Sequence, residues 1–361
     1  MAEILIGVFS FTSIVLLLAL LVLAARRLLV PSGECAVNIN DRTSLNVAVG
    51  RKLLGVLDEA GVHLPSACGG AGTCGLCKVR VLSGGGEPVP QETDILSRTE
   101  TRAGTRLACQ VPVLHPLKVA VDDVYLSVQS WQCTVESVRG LATLIREIVI
   151  RLPAGETLDC PAGSFVQVTC PPYRLDFSDM QLEPEVREDW RNQGLLSLTA
   201  ATRKPETRAY SMANNPGERD RVRLNIRVAV PPPGARGIPP GIVSSWLFSL
   251  KPGDSVDLSG PYGLFFVHES DRELLFIGGG VGMAPLYAQI RDLLETQNSP
   301  RRISYWYGAR SAKEIYYGDI FEDLAERFDN FSWHPALSDP DPEDKWQGHT
   351  GFVHEVVLRE Y

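Results

Sequence analysis

The chain has 361 residues, 44% of them hydrophobic and 22% charged, with a formal net charge of −8. That length exceeds what one hydrophobic core supports, so about two or three domains are expected, and the composition excludes a largely disordered chain. No Lys/Arg run exceeds pairs such as Arg26-Arg27 and Arg301-Arg302, which argues against a nucleic-acid partner, since phosphate binding needs a basic surface.

The first element is "ILIGVFSFTSIVLLLALLVLAA", Ile4 to Ala25, free of charge until Arg26-Arg27. A bilayer span needs about 20 apolar residues. A cleaved signal peptide is the competing reading, but it needs a positive n-region, whereas Glu3 precedes this run and the arginines follow it. Residues 1–30 are therefore expected to be an uncleaved transmembrane anchor, with the positive pair on the cytoplasmic side and the rest of the chain behind it. A reducing compartment also suits the eight cysteines, four of which fall into one ligand-like set.

After Pro31-Ser32-Gly33, "AVNIN", "LNVAV", "KVRVL" and "LKVAV" alternate as short strands. Between them "KLLGVLDEAG" places Leu53, Leu54 and Leu57 on one helical face, with Gly61 at the C-cap. Residues 31–128 thus read as one helix against a small sheet. Residues 129–270 are strand-rich ("LIREIVIRL", "SFVQVTC", "RVRLNIRVAV", "DSVDLSG") and broken by "VPPPGARGIPPG", the texture of an antiparallel barrel. The polar stretch Arg174 to Gly194 reads as an insertion in that barrel. Residues 271–361 change texture: "ELLFIGGGVGMAPLYAQIRDLLE" is strand, glycine turn and helix, and "RRISYWYGA" is another strand, which signals a parallel α/β sheet.

Three constellations carry chemistry. In "SACGGAGTCGLCK", Cys68-x5-Cys74-x2-Cys77 is followed by Cys109 in "RLACQV". Structural zinc usually takes two short Cys-x-x-Cys pairs, and only one is present. A [2Fe–2S] cluster needs four thiolates and a loop rich in glycine, which Gly69, Gly70, Gly72 and Gly75 supply. Iron–sulfur is the preferred reading, with zinc and plain buried thiols as alternatives; Cys35, Cys133, Cys160 and Cys170 read as structural thiols. In "RAYSMAN", Arg208 can neutralise a pyrophosphate, Tyr210 can lie on a flavin face and Ser211 can reach its redox nitrogen. Gly241 in "GIVSSW" opens a helix whose N–H groups, with the Ser244 and Ser245 hydroxyls, can hold the same diphosphate. In "FIGGGVGMAPL", Gly278, Gly279, Gly280 and Gly282 follow a strand and open a helix at Pro285, the context of a dinucleotide site.

In this order the ferredoxin-like cysteines, "RAYSMAN", "GPYGLFF" (Gly260 to Phe266) and "GGGVGMAP" resemble the ferredoxin–NADP⁺ reductase superfamily with a fused plant-type ferredoxin module. The anchor, the insertion and the five-residue cysteine gap make the whole chain resemble the family of F subunits of the bacterial Na⁺-translocating NADH:quinone oxidoreductase. The resemblance implies a multidomain chain: a transmembrane helix, a β-grasp [2Fe–2S] ferredoxin domain, an antiparallel β-barrel for FAD and an α/β parallel-sheet domain for NADH. It implies Cys68, Cys74, Cys77 and Cys109 as cluster ligands, Arg208, Tyr210, Ser211 and Ser244 as FAD contacts with Tyr210 and Ser211 at the reacting ring, and Gly278 to Pro285 on the NADH side. It further implies other membrane subunits of a sodium-pumping complex as partners, quinone as eventual acceptor, and a single-pass place in the bacterial inner membrane with most of the chain cytoplasmic.

Family members continue into another strand beyond the point where this sequence stops, "HEVVLREY", so the sequence reads as a fragment in which "LLFIGG" keeps one unpaired edge. Arg310 in "GARS" is able to meet a 2′-phosphate, which leaves NADH over NADPH to the resemblance. Two other functions fit the modules: a soluble reductase component of a multicomponent oxygenase, which leaves Ile4 to Ala25 unexplained, and a non-enzymatic electron carrier.

Overall fold

The computed structural model describes residues 2–29, 33–215, 217–232, 234–235, 237–263 and 265–361. Pro31 and Ser32 between the expected anchor and the first strand, Leu264 of "GPYGLFF" and the side chains of Arg26 and Arg27 lie outside the described residues. The chain divides into two compact units, residues 1–127 and 128–361.

Helix α1 (Ala2–Leu29) contains an apolar span from Ile6 to Ala24. Its 19 residues cover about 28 Å at 1.5 Å per residue, close to the thickness of a bilayer core. It is the one helix among the described residues long and apolar enough to cross a membrane, and its described apolar side chains are exposed.

In the first unit, β1 (Glu34–Ile39) and β2 (Thr43–Ala48) form a hairpin and α2 (Leu53–Glu59) follows. Leu53 and Leu57 of α2 are fully buried and Leu54 is half-buried, as the spacing expects, while Gly61 takes φ 76° just past the C-cap Ala60. Then come β3 (Lys78–Ser83), two short helices, α3 (Pro90–Thr93) and α4 (Arg98–Arg102), β4 (Thr105–Leu107), β5 (Leu117–Ala120) and α5 (Asp123–Leu126). The sheet runs β2-β1-β5-β3-β4, with β1 and β5 parallel. Its core joins Val37, Val56, Val79, Leu107 and Val119.

The second unit opens with β6 (Gln129–Ala142) and β7 (Ile145–Arg151), then β8 (Phe165–Cys170), β9 (Tyr173–Asp176), α6 (Pro184–Asn192), β10 (Thr199–Thr202), β11 (Glu206–Ser211), β12 (Arg221–Arg227), α7 (Ile242–Ser249) and β13 (Ser255–Tyr262). Six strands form an antiparallel sheet in the order β11-β8-β13-β6-β7-β12, and a bridge between Met212 and Leu224 brings its ends together as a barrel. The insertion is a small structure of its own. β9 and β10 pair as a separate ribbon, and α6 buries Trp190 between Phe177 and Phe248, at ring distances of 5.6 and 5.5 Å. The Trp190 indole donates to the Thr143 carbonyl at 2.8 Å, so the segment is tied to the β6–β7 turn.

Next come β14 (Leu274–Gly279), α8 (Met283–Arg291), β15 (Ile303–Ala309), α9 (Gly318–Arg327), β16 (Phe331–Leu337), β17 (His349–Thr350) and α10 (Val353–Glu360). The sheet β14-β15-β16-β17 is wholly parallel, and among the described residues β14 pairs on one side only, with Leu275 and Ile277 exposed.

Candidate functional site

The cysteine loop between α2 and β3 is shaped by its glycines. Gly69, Gly70, Gly72 and Gly75 all take positive φ. A Cβ on Gly72 would stand 2.5 Å from Gln110 Nε2, and one on Gly75 would stand 2.6 Å from Ile95. A side chain at either position is thus strained by conformation, and at Gly75 it also meets the branched Ile95. The loop then delivers hydrogen bonds to sulfur: Thr73 and Cys74 donate backbone N–H groups to Cys68, and Gly72 donates to Cys109. Gln110 adds a side-chain bond to Cys109 Sγ at 3.3 Å.

Burial raises the Cys68 thiol, but those hydrogen bonds outweigh it and bring the group to about 6. Its bond with Cys77 and the neighbouring donors bring Cys109 to about 7, and the same bond with burial pushes Cys77 far upward. The thiols therefore form two interacting pairs, Cys68 with Cys74 and Cys77 with Cys109. Among the described residues, no three Cys, His, Asp or Glu side chains are grouped as for one metal ion. Two thiol pairs in a ring of backbone donors suit a two-iron cluster, in which each iron takes two thiolates, better than a single zinc. By contrast, burial pushes Cys133 up to about 12 and Cys160 to about 11, which keeps both protonated and unreactive.

Cys109 is positioned from behind. Glu92 and Arg106, both buried, form an ion pair with Arg106 Nε to Oε1 at 2.9 Å and Nη2 to Oε2 at 2.7 Å. Glu92 also accepts from the Leu107 N–H at 2.8 Å, two residues before Cys109, and Arg106 reaches the Gly85 and Gly86 carbonyls. The spacing of the cysteines contains no sign of this support.

In the barrel, Arg208 and Tyr210 share a face of β11 by period-2 alternation, and Ser211 lies exposed at the strand's end. Tyr210 is opposite Val166 of β8 in register, and burial raises its phenol well above the usual value, so it is neutral. Arg208 donates to the Thr207 carbonyl at 2.7 Å and lies 3.4 Å from Glu206. Gly241 caps α7 and packs so closely that a Cβ there would stand 2.8 Å from Ala229 Cβ. The Ser244 hydroxyl is engaged locally, donating to the Gly241 carbonyl at 3.3 Å and accepting from the Ala229 N–H at 3.2 Å. Ser245 is fully buried and its hydroxyl has no partner among the described residues. Both hydroxyls are thus turned into the protein, and the N–H groups of the first turn of α7 are the donors left at its start.

The glycine turn lies where the parallel sheet meets the barrel. Gly278 and Gly279 end β14, Gly280 takes φ 52°, Gly282 precedes α8 and Pro285 sits in its first turn. Gly279 is needed for close strand approach, since a Cβ would stand 2.9 Å from the Gly308 carbonyl oxygen. A cavity of about 320 Å³ opens at the carboxyl ends of β14, β15 and β16, between Gly280, Gly308 and Ser338 on one wall and Ile145 and Arg227 of the barrel on the other. Ligands of open α/β sheets bind in this crevice. Arg227, Ser338 and Phe352 line it without any motif in the sequence. Arg310 lines it too, with its guanidinium paired to Asp339 at 3.1 Å.

The 2Fe-2S iron-sulfur cluster binding domain family matches residues 37–114, the oxidoreductase FAD-binding domain family 193–267 and the oxidoreductase NAD-binding domain family 276–361. The F subunit of the Na(+)-translocating NADH-quinone reductase of Methylococcus capsulatus is 46% identical over 362 residues, covering 100% of this chain and 89% of that protein. Its counterpart from Psychrobacter cryohalolentis is 47% identical over 98% of the chain and 87% of its own length. This chain belongs to the family of Na(+)-translocating NADH-quinone reductase F subunits.

Among solved structures, the chain is similar to a cytochrome P450 reductase of Amycolatopsis, with TM-score 0.59 and 27% identity over 90% of this chain and 86% of that one. A ferredoxin reductase in carbazole 1,9a-dioxygenase shares the fold, with TM-score 0.55 and 23% identity over 91% and 87%. The three cofactors of this reductase family member, a [2Fe–2S] cluster, FAD and NADH, each have their matching domain. The FAD-domain match begins past α6, so the Trp190 segment lies outside it.

Proposed function

We propose that this chain is the electron-input component of a sodium-pumping respiratory complex, taking hydride from NADH onto FAD and sending single electrons through a [2Fe–2S] cluster towards quinone by way of other membrane subunits. One observation carries the reading: a helix long enough to span a membrane is joined in a single chain to cluster, flavin and nicotinamide modules. An oxygenase reductase uses the three modules and has no need of the helix.

A bound flavin accepts the two electrons of a hydride and gives them up singly, the conversion that a nicotinamide and a [2Fe–2S] cluster require between them. The chain's own residues do the rest. Cys68, Cys74, Cys77 and Cys109 hold the cluster, and the N–H groups of Gly72, Thr73 and Cys74 stabilise negative charge on sulfur. Arg208 and the first turn of α7 take the flavin diphosphate, Tyr210 excludes water from one ring face, and Ser211 is the hydroxyl available to the reacting nitrogen. The Gly280 turn and Arg227 take the NADH diphosphate from opposite walls of the crevice. α1 anchors the chain as a single pass in the bacterial inner membrane with the cluster, flavin and nicotinamide modules on the cytoplasmic side.

The test uses the full chain, loaded with both cofactors and titrated anaerobically with NADH. Flavin absorbance should bleach and the cluster absorbance should follow. Deleting Ile4 to Ala25 should move the protein to the soluble fraction with flavin retained. A flavin-loaded chain that NADH does not bleach would leave only the electron-carrier reading.

A further inference from the structure

The middle of β7 buries two adjacent charges, Arg146 and Glu147, 5% and 6% exposed, in a strand whose residues from Ile145 to Ile150 are all buried; Arg146 donates to the Phe248 carbonyl, and Glu147 faces the other way. Its carboxylate meets Arg139 of β6 at 3.1 Å and Arg223 of β12 at 3.0 Å, and it accepts a hydrogen bond from the phenol of Tyr317, a residue of the parallel-sheet lobe. The Tyr317 phenol oxygen also lies 3.1 Å from the Asn225 side-chain amide, and the Arg139 guanidinium stands 5.9 Å from the centre of its ring. Three barrel side chains, Glu147, Asn225 and Arg139, thus converge on one tyrosine from the other lobe, and Arg223 holds the first of them.

Tyr317 itself is held in a left-handed backbone conformation, φ 60°, which a residue with a Cβ adopts only when its surroundings over-determine it. Its ring packs 4.6 Å from Tyr287 of α8. Its neighbour Tyr316 donates its phenol to the Gly280 carbonyl at 2.8 Å. The strained dipeptide therefore grips the barrel with one phenol and the glycine turn with the other.

We infer that Glu147 and Tyr317 form a positioning junction that sets the Gly280 turn against the barrel, so that a nicotinamide held by that turn meets the flavin in reactive alignment; the inference rests on the NADH-to-FAD reading above. Neither residue touches the reacting atoms. The junction acts through Tyr316 and the turn, and misplacing reactants by about 1 Å costs up to about 100-fold in rate. A polar junction suits this task better than an apolar one. Its geometry is set by two guanidinium groups and a phenol, each with directional bonds, whereas apolar contacts leave two packed lobes free to slide.

The experiment compares the full chain with Tyr317→Phe, which keeps the ring and loses the phenol oxygen, with Glu147→Gln, which keeps the shape and loses the charge, and with the double variant. FAD content and thermal unfolding verify that each is folded, and either single variant suffices if the other is not. Stopped-flow reduction by NADH should show the rate at saturation falling about tenfold, with half-saturation changed less than twofold. The loss in the double variant should fall short of the sum of the singles, because both weaken the shared Glu147–Tyr317 contact. Independently of any cofactor, hydrogen exchange should quicken in the peptide spanning the glycine turn, 278–286, and stay unchanged in β8 and β13.

Unchanged exchange in that peptide in the folded single variants overturns the inference, as does a rise in half-saturation with the saturated rate intact. If NADH fails to reduce the flavin of the unaltered chain, the functional reading falls instead, and the exchange measurement alone then decides whether the junction holds the turn.

Discussion

Replacing Glu92 by alanine should unfold the cluster domain far more readily than its distance in sequence from any cysteine suggests. The carboxylate accepts from Arg106 Nε, Arg106 Nη2, Leu107 N and Val89 N at 2.9, 2.7, 2.8 and 3.0 Å, and no part of it is exposed. Truncation leaves Arg106, itself 4% exposed, without its counter-charge. Breaking a buried pair from one side costs about 3–5 kcal/mol, roughly half the stability of a typical small domain. With a urea slope of about 1 kcal/mol/M for a domain of this size, the midpoint should fall by about 3–5 M.

The assay is urea unfolding of the full chain, followed at the visible absorbance of the cluster, with flavin fluorescence reporting the other unit. Glu92→Met with Arg106→Leu should recover most of the loss, because it removes both charges. Burial raises the Glu92 carboxyl, yet Arg106 and the Val89 and Leu107 N–H groups outweigh it and hold the group below its ordinary 4.5. A depressed folded-state value means the stabilisation is complete above pH 4.5 and is lost as pH falls through the folded value. The gap between the native chain and Glu92→Gln should therefore close on acidification below that point. A midpoint shift under 1 M for Glu92→Ala, or a gap that persists in acid, would refute the reasoning.

Cys74→Ala should abolish acid-labile sulfide and leave flavin content unchanged, since the two units have separate cores; zinc without sulfide in the native protein would sink the cluster assignment. Tyr210→Ala should weaken FAD retention at least tenfold in equilibrium dialysis, and Ser211→Ala should slow flavin reduction in stopped flow without altering NADH affinity. Arg227→Ala should raise half-saturation by NADH about tenfold, the effect of one charge-assisted contact, and an unchanged value would remove Arg227 from the site. Asp339→Asn should improve the NADPH to NADH ratio of kcat/KM several-fold, because it lifts the repulsion of a 2′-phosphate beside Arg310.

Much of this protein is legible residue by residue. The spacing of Cys68, Cys74 and Cys77, the glycines between them, the apolar run of α1, and the strand, turn and helix around Gly280 are local patterns. Each states a requirement, such as positive φ, a span length or an anion-binding turn, that the backbone meets within a few residues. Gly72 and Gly75 take the conformations their positions suggest.

What tertiary structure decided is access and surroundings. Ser245 lies one helical turn after Gly241 and reads as a ligand, but the packing of α7 buries its hydroxyl completely. The polar segment Arg174 to Gly194 hides a core built on Trp190, because one of its two ring partners, Phe248, lies far along the chain outside the segment. Arg227 and Ser338 meet only in the crevice, and Glu147 meets Tyr317 across 170 positions. A residue's charge state, hydrogen-bond partner and reach depend on which distant groups exclude water around it. Local spacing specifies the loop and the turn; only the assembled fold determines the environment in which they act.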